Sequence, residues 1–249
     1  MEVHHHSHTD RKRFKHYLWE FLMLFLAVFC GFLAENFREH QVEKQRGKQY
    51  IRSFYEDLKT DTAKLNRVIR TETRRVTNLL VFKSCYDSLL QNQNPHSLLE
   101  IIKYTSFNNA FGPEQRTINQ LTNAGGFRLL KKEDADSIAN YIQRCNVIEN
   151  FEKTAYQQTQ DNIRTIFNQF IDFSANASLS PNLLESPGLF VESTTAPLMA
   201  ESNKKMLNEY FNTILQYIRV TVNHRNLMAR VKEKAEGMIE YFKKKYSFD

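Results

Sequence analysis

Four imidazoles crowd the start of the chain at His4, His5, His6 and His8, a spacing able to hold a transition-metal ion through neutral ring nitrogens. A solvated tail has no surrounding shell to orient those rings, so a tag remnant, a bare tail and a native unliganded stretch are the competing readings, and no metal is expected. His16, His40, His96 and His224 stand alone in the sequence and read as surface or packing residues. The cysteines Cys30, Cys85 and Cys145 are far apart, which excludes a disulfide scaffold and any CxxC site. Cys85 and Cys145 read as core positions of neighbouring helices, with a disulfide between them as the alternative in an exported domain. Glu133, Asp134 and Asp136 sit where a helix should begin, so they complement its dipole better than they serve acid–base catalysis. No HExxH, GxSxG, GxGxxG or phosphate-loop pattern occurs. With no nucleophile, base or cofactor signature, a non-enzymatic protein without a cofactor is the expectation.

One carboxylate is out of place. Glu20 abuts Phe21 to Ala34, FLMLFLAVFCGFLA, a run without a charge. Alone that run makes about 21 Å of helix, short of a hydrocarbon layer about 30 Å thick. Extended over residues 17–37 it reaches about 31 Å, with Tyr17 and Trp19 at the level of an aromatic belt. The expectation is a permanent single-span anchor. A cleaved signal peptide is the alternative, since Cys30, Gly31 and Ala34 resemble a cleavage site. At helical spacing Glu20, Ala27, Gly31 and Ala34 share one stripe, with Phe25, Phe29, Phe32 and Leu33 on other faces. Small residues four apart let two backbones approach, and a carboxylate on that stripe would face a partner instead of lipid. The plainer reading leaves Glu20 among headgroups and gives the small residues no role. A single helix supplies no second relay group, so proton conduction through Glu20 is not expected.

The elements that must carry these residues follow from composition and spacing. The chain has 249 residues, 41% apolar, with 7 Gly, 5 Pro, 19 Phe and 11 Tyr. That is too aromatic for a disordered chain and too poor in turn residues for an all-β fold. A seven-residue frame runs from Ile51 and Tyr55 through Leu58, Leu65, Ile69, Val76, Leu79, Tyr86 and Leu90, interrupted by Thr62, Glu72 and Lys83. It predicts a long helix to Asn94, in a coiled coil or an antiparallel bundle. Asn94-Pro95 starts a short helix over His96–Tyr104, and Pro113 opens another that stops at Gly125-Gly126. Lys132–Phe173 and Asn203–Tyr246 are the remaining long helices. Between them Ser174–Ser202, with Pro181, Pro187 and Pro197, reads as a linker or a lid. The expected fold is all-α. Residues 1–16 form a His-rich basic tail and 17–37 a transmembrane helix. Long helices over 38–173 follow, with two short ones between, then a Pro/Ser-rich loop over 174–202 and a C-terminal helix over 203–249, the long helices packed as an antiparallel bundle.

The order acid, fourteen apolar residues, acid-Asn-aromatic (Glu20, Phe21–Ala34, Glu35-Asn36-Phe37) resembles an uncharacterised family of bacterial single-anchor membrane proteins. The start EVHHHSH and the block YLWEFLMLFLAVFCGFLAEN are similar to one branch of it. Thr117-Ile118-Asn119-Gln120-Leu121, followed by Asn123-Ala124-Gly125 and Leu129-Leu130, is a second, shorter likeness. The resemblance implies an anchored helical protein of the bacterial envelope and no particular chemistry.

The formal charge is +6, and Arg67, Arg70, Arg74 and Arg75 with Lys64 form a local basic patch. Basic and acidic residues alternate throughout and no nucleic-acid motif accompanies the patch, so it reads as a solvated helical face with no nucleic-acid partner. Arg11, Lys12, Arg13 and Lys15 precede the span and Arg38, Lys44, Arg46, Lys48 and Arg52 follow it. By a thin margin this orients the N-terminus to the cytoplasm of an inner membrane and the helical domain outside it. The expected role is to self-associate or to scaffold a membrane-protein partner, with lipid around the anchor. The alternative is a ligand-binding sensor that signals through a separate partner, and an enzyme with Ser174–Ser202 as lid has no catalytic residues to support it.

Overall fold

The structure, a computed structural model, describes residues 10–82, 86–87, 101, 104–105, 109–170, 177–179, 190–192 and 204–248. Helix α1 runs unbroken over Asp10–Leu79, about 105 Å at the usual helical rise. Neither Pro nor a run of β-branched residues interrupts it, and it carries the apolar N-terminal run and the first bundle helix as one rod. It ends at Leu79, earlier than the predicted Asn94, in a turn through Leu80 and Val81. Helix α2 (Gln115–Asn123) stops where the two glycines predicted: Gly125 takes a left-handed φ of 64°, and a 3-10 turn over Gly126–Leu129 follows. Helix α3 (Lys132–Phe151) continues through a π segment, Glu152–Tyr156, into α4 (Gln157–Phe170). Helix α5 spans Lys204–Tyr246.

Ring contacts fix the directions. Phe54 meets Tyr141 and Arg75 meets Tyr156, so α3–α4 run parallel to α1. Tyr55 meets Phe248 while Phe82 meets Phe211, so α5 runs antiparallel to both. The result is an all-α bundle of three long layers, with α2 and the 3-10 turn against α1 near the bundle's start. One local exception lies inside the region read as an irregular loop: Ala177–Leu179 (β1) pairs antiparallel with Phe190–Glu192 (β2). Of the tail expected over residues 1–16, residues 10–16 form the first turns of α1. Residues 1–9, Cys85, His96 and the remainder of Ser174–Ser202 lie outside the described residues, and of the short helix expected at His96–Tyr104 only Ile101 and Tyr104 are described, both helical.

The bundle buries two apolar clusters. The first, next to the anchor, joins Ile51, Phe54, Leu58 and Leu65 to Ile138, Tyr141, Met228, Val231 and Phe242. The second, at the far end, joins Leu79, Tyr156, Ile163 and Phe167 to Leu207, Tyr210, Phe211, Ile214 and Tyr217. Between them sits a layer of buried polar groups. Its position follows from the spacing along α3–α4. Buried residues fall at Ile138, Tyr141, Cys145, Ile148 and Glu152, then at Tyr156, Gln160, Ile163 and Phe167. A strict three-four alternation would have moved the stripe onto 155 and 159. The π segment adds one residue at that point and returns the stripe to the core.

Candidate functional site

Three regions hold residues with chemical or binding potential: the apolar half of α1, the polar layer and the anchor-facing end of the bundle. In the apolar half, α1 is long and apolar enough to cross a membrane, and no part of that run is covered by the rest of the protein. Leu24 and Phe32 are 68% and 67% exposed. Glu20, Ala27, Gly31 and Ala34 fall on one face, seven, four and three residues apart, as their spacing requires. Glu20 lies 3.1 Å from His16 Nε2 on the exposed surface. A methyl group added at Gly31 would meet nothing within 4 Å. On another face Phe21, Phe25 and Phe29 stack in succession, centroids 6.4 and 5.9 Å apart. Cys30 is exposed, beside the Ala27–Ala34 face.

In the polar layer, Arg75 corrects the expectation of a wholly solvated patch: Arg67, Arg70 and Arg74 face solvent, whereas Arg75 turns inward. It is one position beyond the exposed Arg74, and a step of 100° carries it onto the seam. Its Nη1 donates to both Glu72 oxygens, at 3.0 and 3.2 Å, and to the Tyr156 hydroxyl. Tyr156 and Tyr217 hydroxyls are 3.1 Å apart, Gln160 Nε2 donates to Tyr217 at 3.4 Å, and Asn109 Nδ2 donates to Glu72 at 3.4 Å. Burial raises the Glu72 carboxyl above the usual range, against the pull of Arg75, and burial raises Tyr156 and Tyr217 as well. Next to this group, Glu152 Oε1 accepts the Phe111 N–H at 2.9 Å and lies 2.8 Å from His224 Nε2. His224 is fully buried, stacked on Phe151 and near Tyr156, and its Nδ1 has no hydrogen-bond partner among the described residues.

Thus His224, an isolated histidine in the sequence, is a packing residue with an acid partner, and Glu72 and Glu152 are functional-looking acids that periodicity reports only as gaps in an apolar seam. The one signal available beforehand was the four-residue spacing of Glu152, Tyr156 and Gln160. Glu152 also borders a cleft of about 490 Å³ beside Phe111, Pro113 and Gln157. The His224–Glu152 contact ties the π segment to α5, and among the described residues no Ser, Thr or Cys side chain is hydrogen-bonded to it.

Nearer the anchor, Asp61 Oδ1 accepts the Glu114 N–H and Oδ2 accepts the Tyr141 hydroxyl, each at 2.8 Å, pinning the start of α2 to α1. Asp134 is the buried member of the acids at the start of α3; Glu133 and Asp136 are exposed. It takes Lys245 at 2.7 Å, Tyr241 at 2.9 Å and Tyr246 at 2.5 Å. Burial works to raise its carboxyl, but these three donors outweigh burial and hold it below the ordinary range. Cys145 is a free, buried thiol, pushed by burial up to about 12, which makes it inert. Among the described residues no group of three His, Cys, Asp or Glu side chains is placed to hold a metal ion. Comparison with protein-family models, with curated proteins and with solved structures finds no match.

Proposed function

We propose that this chain is a non-enzymatic, membrane-anchored helical protein that associates through its anchor and holds a second copy or a membrane-protein partner in the cell envelope. The observation that supports this reading is the uncovered apolar half of α1, rigidly continuous with the helix whose other half forms the core. Fourteen uncharged residues in a row, flanked by Tyr17, Trp19 and Phe37 and all exposed, cannot rest in water without aggregating, and lipid is the solvent that suits them. Within lipid the Glu20–Ala27–Gly31–Ala34 face is the one where two backbones can come close, and a partner there would satisfy the carboxylate. We place the bundle outside the cytoplasm of an inner membrane on the strength of Arg11, Lys12, Arg13 and Lys15; protease protection in spheroplasts reads that side directly.

The test is crosslinking in native membranes after an alkaline carbonate wash. The full chain should stay in the membrane fraction and give a discrete oligomer or hetero-adduct, weakened in Gly31→Leu. A monomer throughout, with no adduct, sinks the association; release by carbonate sinks the anchor. A sensor is the second reading, favoured by the continuity of α1 from the span to Glu72 and Arg75, which lets a shift in the polar layer travel along one rod.

A further inference from the structure

The anchor-facing end of the bundle carries a cleft of about 400 Å³ between α1, the 3-10 turn and the end of α5. Its floor is apolar, formed by Ile51, Leu129, Leu130 and Phe248, and its rim is cationic, formed by Lys44, Lys48 and Lys131. The acids nearby are matched elsewhere: Glu43 lies 3.8 Å from Arg128, and Glu133 and Asp134 both engage Lys245. Lys44, Lys48 and Lys131 are exposed, and among the described residues no acid lies within ion-pair distance of them. Three lysines from two separate segments therefore surround a greasy depression. The fold enforces this convergence, because Gly47, next to Lys48 and three residues after Lys44, lets the Leu129 carbonyl come so close that an added Cβ would stand 2.4 Å from its oxygen.

Position along α1 narrows the ligand. Lys44 follows Phe37 by seven residues, about 10 Å of helix, so it emerges close to the polar layer that covers the hydrocarbon, roughly 5–8 Å deep on each side. An ammonium rim at that level, with an apolar floor beyond it, suits a lipid phosphate that carries a small alcohol headgroup. We propose that this cleft binds the headgroup of an anionic phospholipid from the adjoining leaflet, Lys44, Lys48 and Lys131 taking the phosphate and the apolar floor, farther from the hydrocarbon, taking the carbons of the headgroup alcohol. The assignment rests on the anchored reading. It gives the bundle a fixed seat on the membrane surface, where lysine side chains reach toward phosphate along their apolar stems.

The test uses the full chain, delipidated in neutral detergent and offered equimolar phosphatidylglycerol and phosphatidylcholine of matched acyl length, with retained lipid read by native mass spectrometry. Phosphatidylglycerol should be retained in excess, and the Lys44→Gln, Lys48→Gln and Lys131→Gln substitutions should each lower that preference about fivefold. Circular dichroism of each variant checks that the helices persist. Equal retention of the two lipids, or an undiminished preference in the triple variant, overturns the proposal while leaving a carbonate-resistant anchor standing. Displacement of phosphatidylglycerol by inorganic phosphate alone also overturns it, since the site would then take a free anion. Release of the full chain by carbonate overturns the anchor, and this assignment with it.

Discussion

The two halves of α1 share one geometry and differ in what covers them. From Tyr17 to Phe37 apolar side chains point in every direction and all are exposed; from Ile51 to Leu79 they keep to a seam, and Leu58, Leu65 and Leu79 are 0% exposed. The ionisable groups differ in the same way. Glu20 stays at the surface beside His16, whereas Glu72 and Arg75 are sealed in the bundle, where a charge is tolerated only with its partner. The contrast teaches that apolar content alone does not make a core. What decides is whether the pattern leaves a polar face for water, and the anchor half leaves none.

The largest effect should come from splitting the sealed pair. Arg75→Met leaves Glu72 buried and uncompensated, and should lower stability to urea by about 3–5 kcal/mol, whereas Glu20→Gln should not move the unfolding midpoint. Adding Glu72→Leu to Arg75→Met should recover most of the loss. The pH dependence has a definite sign. Burial already holds the folded Glu72 carboxyl above its unfolded value, and losing Arg75 raises it further. A raised carboxyl costs stability once pH exceeds the unfolded value, near ~4.3. Because Glu72 is already raised with Arg75 present, the extra deficit of Arg75→Met should grow as pH climbs through that raised value and shrink below it. A deficit independent of pH would mean that Glu72 is not the group left stranded.

Leucines at matching positions in the two halves provide a second, somewhat smaller contrast. Leu65→Ala empties a fully buried site and should cost about 2–5 kcal/mol in urea unfolding. Leu26→Ala touches no part of the bundle and should leave that transition in place. Equal costs at both positions would show that the apolar half of α1 packs against the protein after all.

The long helices were readable because their evidence is redundant: Leu58, Leu65 and Leu79 repeat one periodicity over many turns, and Gly125 marks a stop by backbone preference alone. Single-position events were not readable. A one-residue π insertion at Glu152–Tyr156 leaves no compositional trace, and Arg75 differs from Arg74 only by 100° of rotation. His224 and Glu152 are 72 residues apart in sequence, and only the antiparallel return of α5 brings them within 2.8 Å. The lysine rim was hidden for the same reason, since Lys131 reaches Lys44 and Lys48 through a turn that no local pattern specifies. The anchor stripe was legible as spacing, and its face is open for the partner proposed above.

The smallest effect separates two glycines of the same helix. Gly47 is buried under the Leu129 carbonyl, and a Cβ there would sit 2.4 Å from backbone oxygen, an atom that cannot swing aside as a side chain end can. Gly47→Ala must push the 3-10 turn away from α1, and overpacking of this kind should cost about 1–3 kcal/mol in thermal or urea unfolding. Gly31 has nothing within 4 Å of an added Cβ, so Gly31→Ala should leave the same transition unmoved. The displaced turn carries Lys131 on its trailing end, so Gly47→Ala should also weaken retention of phosphatidylglycerol without touching any of the three lysines. If Gly47→Ala is as silent as Gly31→Ala, the turn is not held against the helix, and the convergence that builds the cleft fails with it.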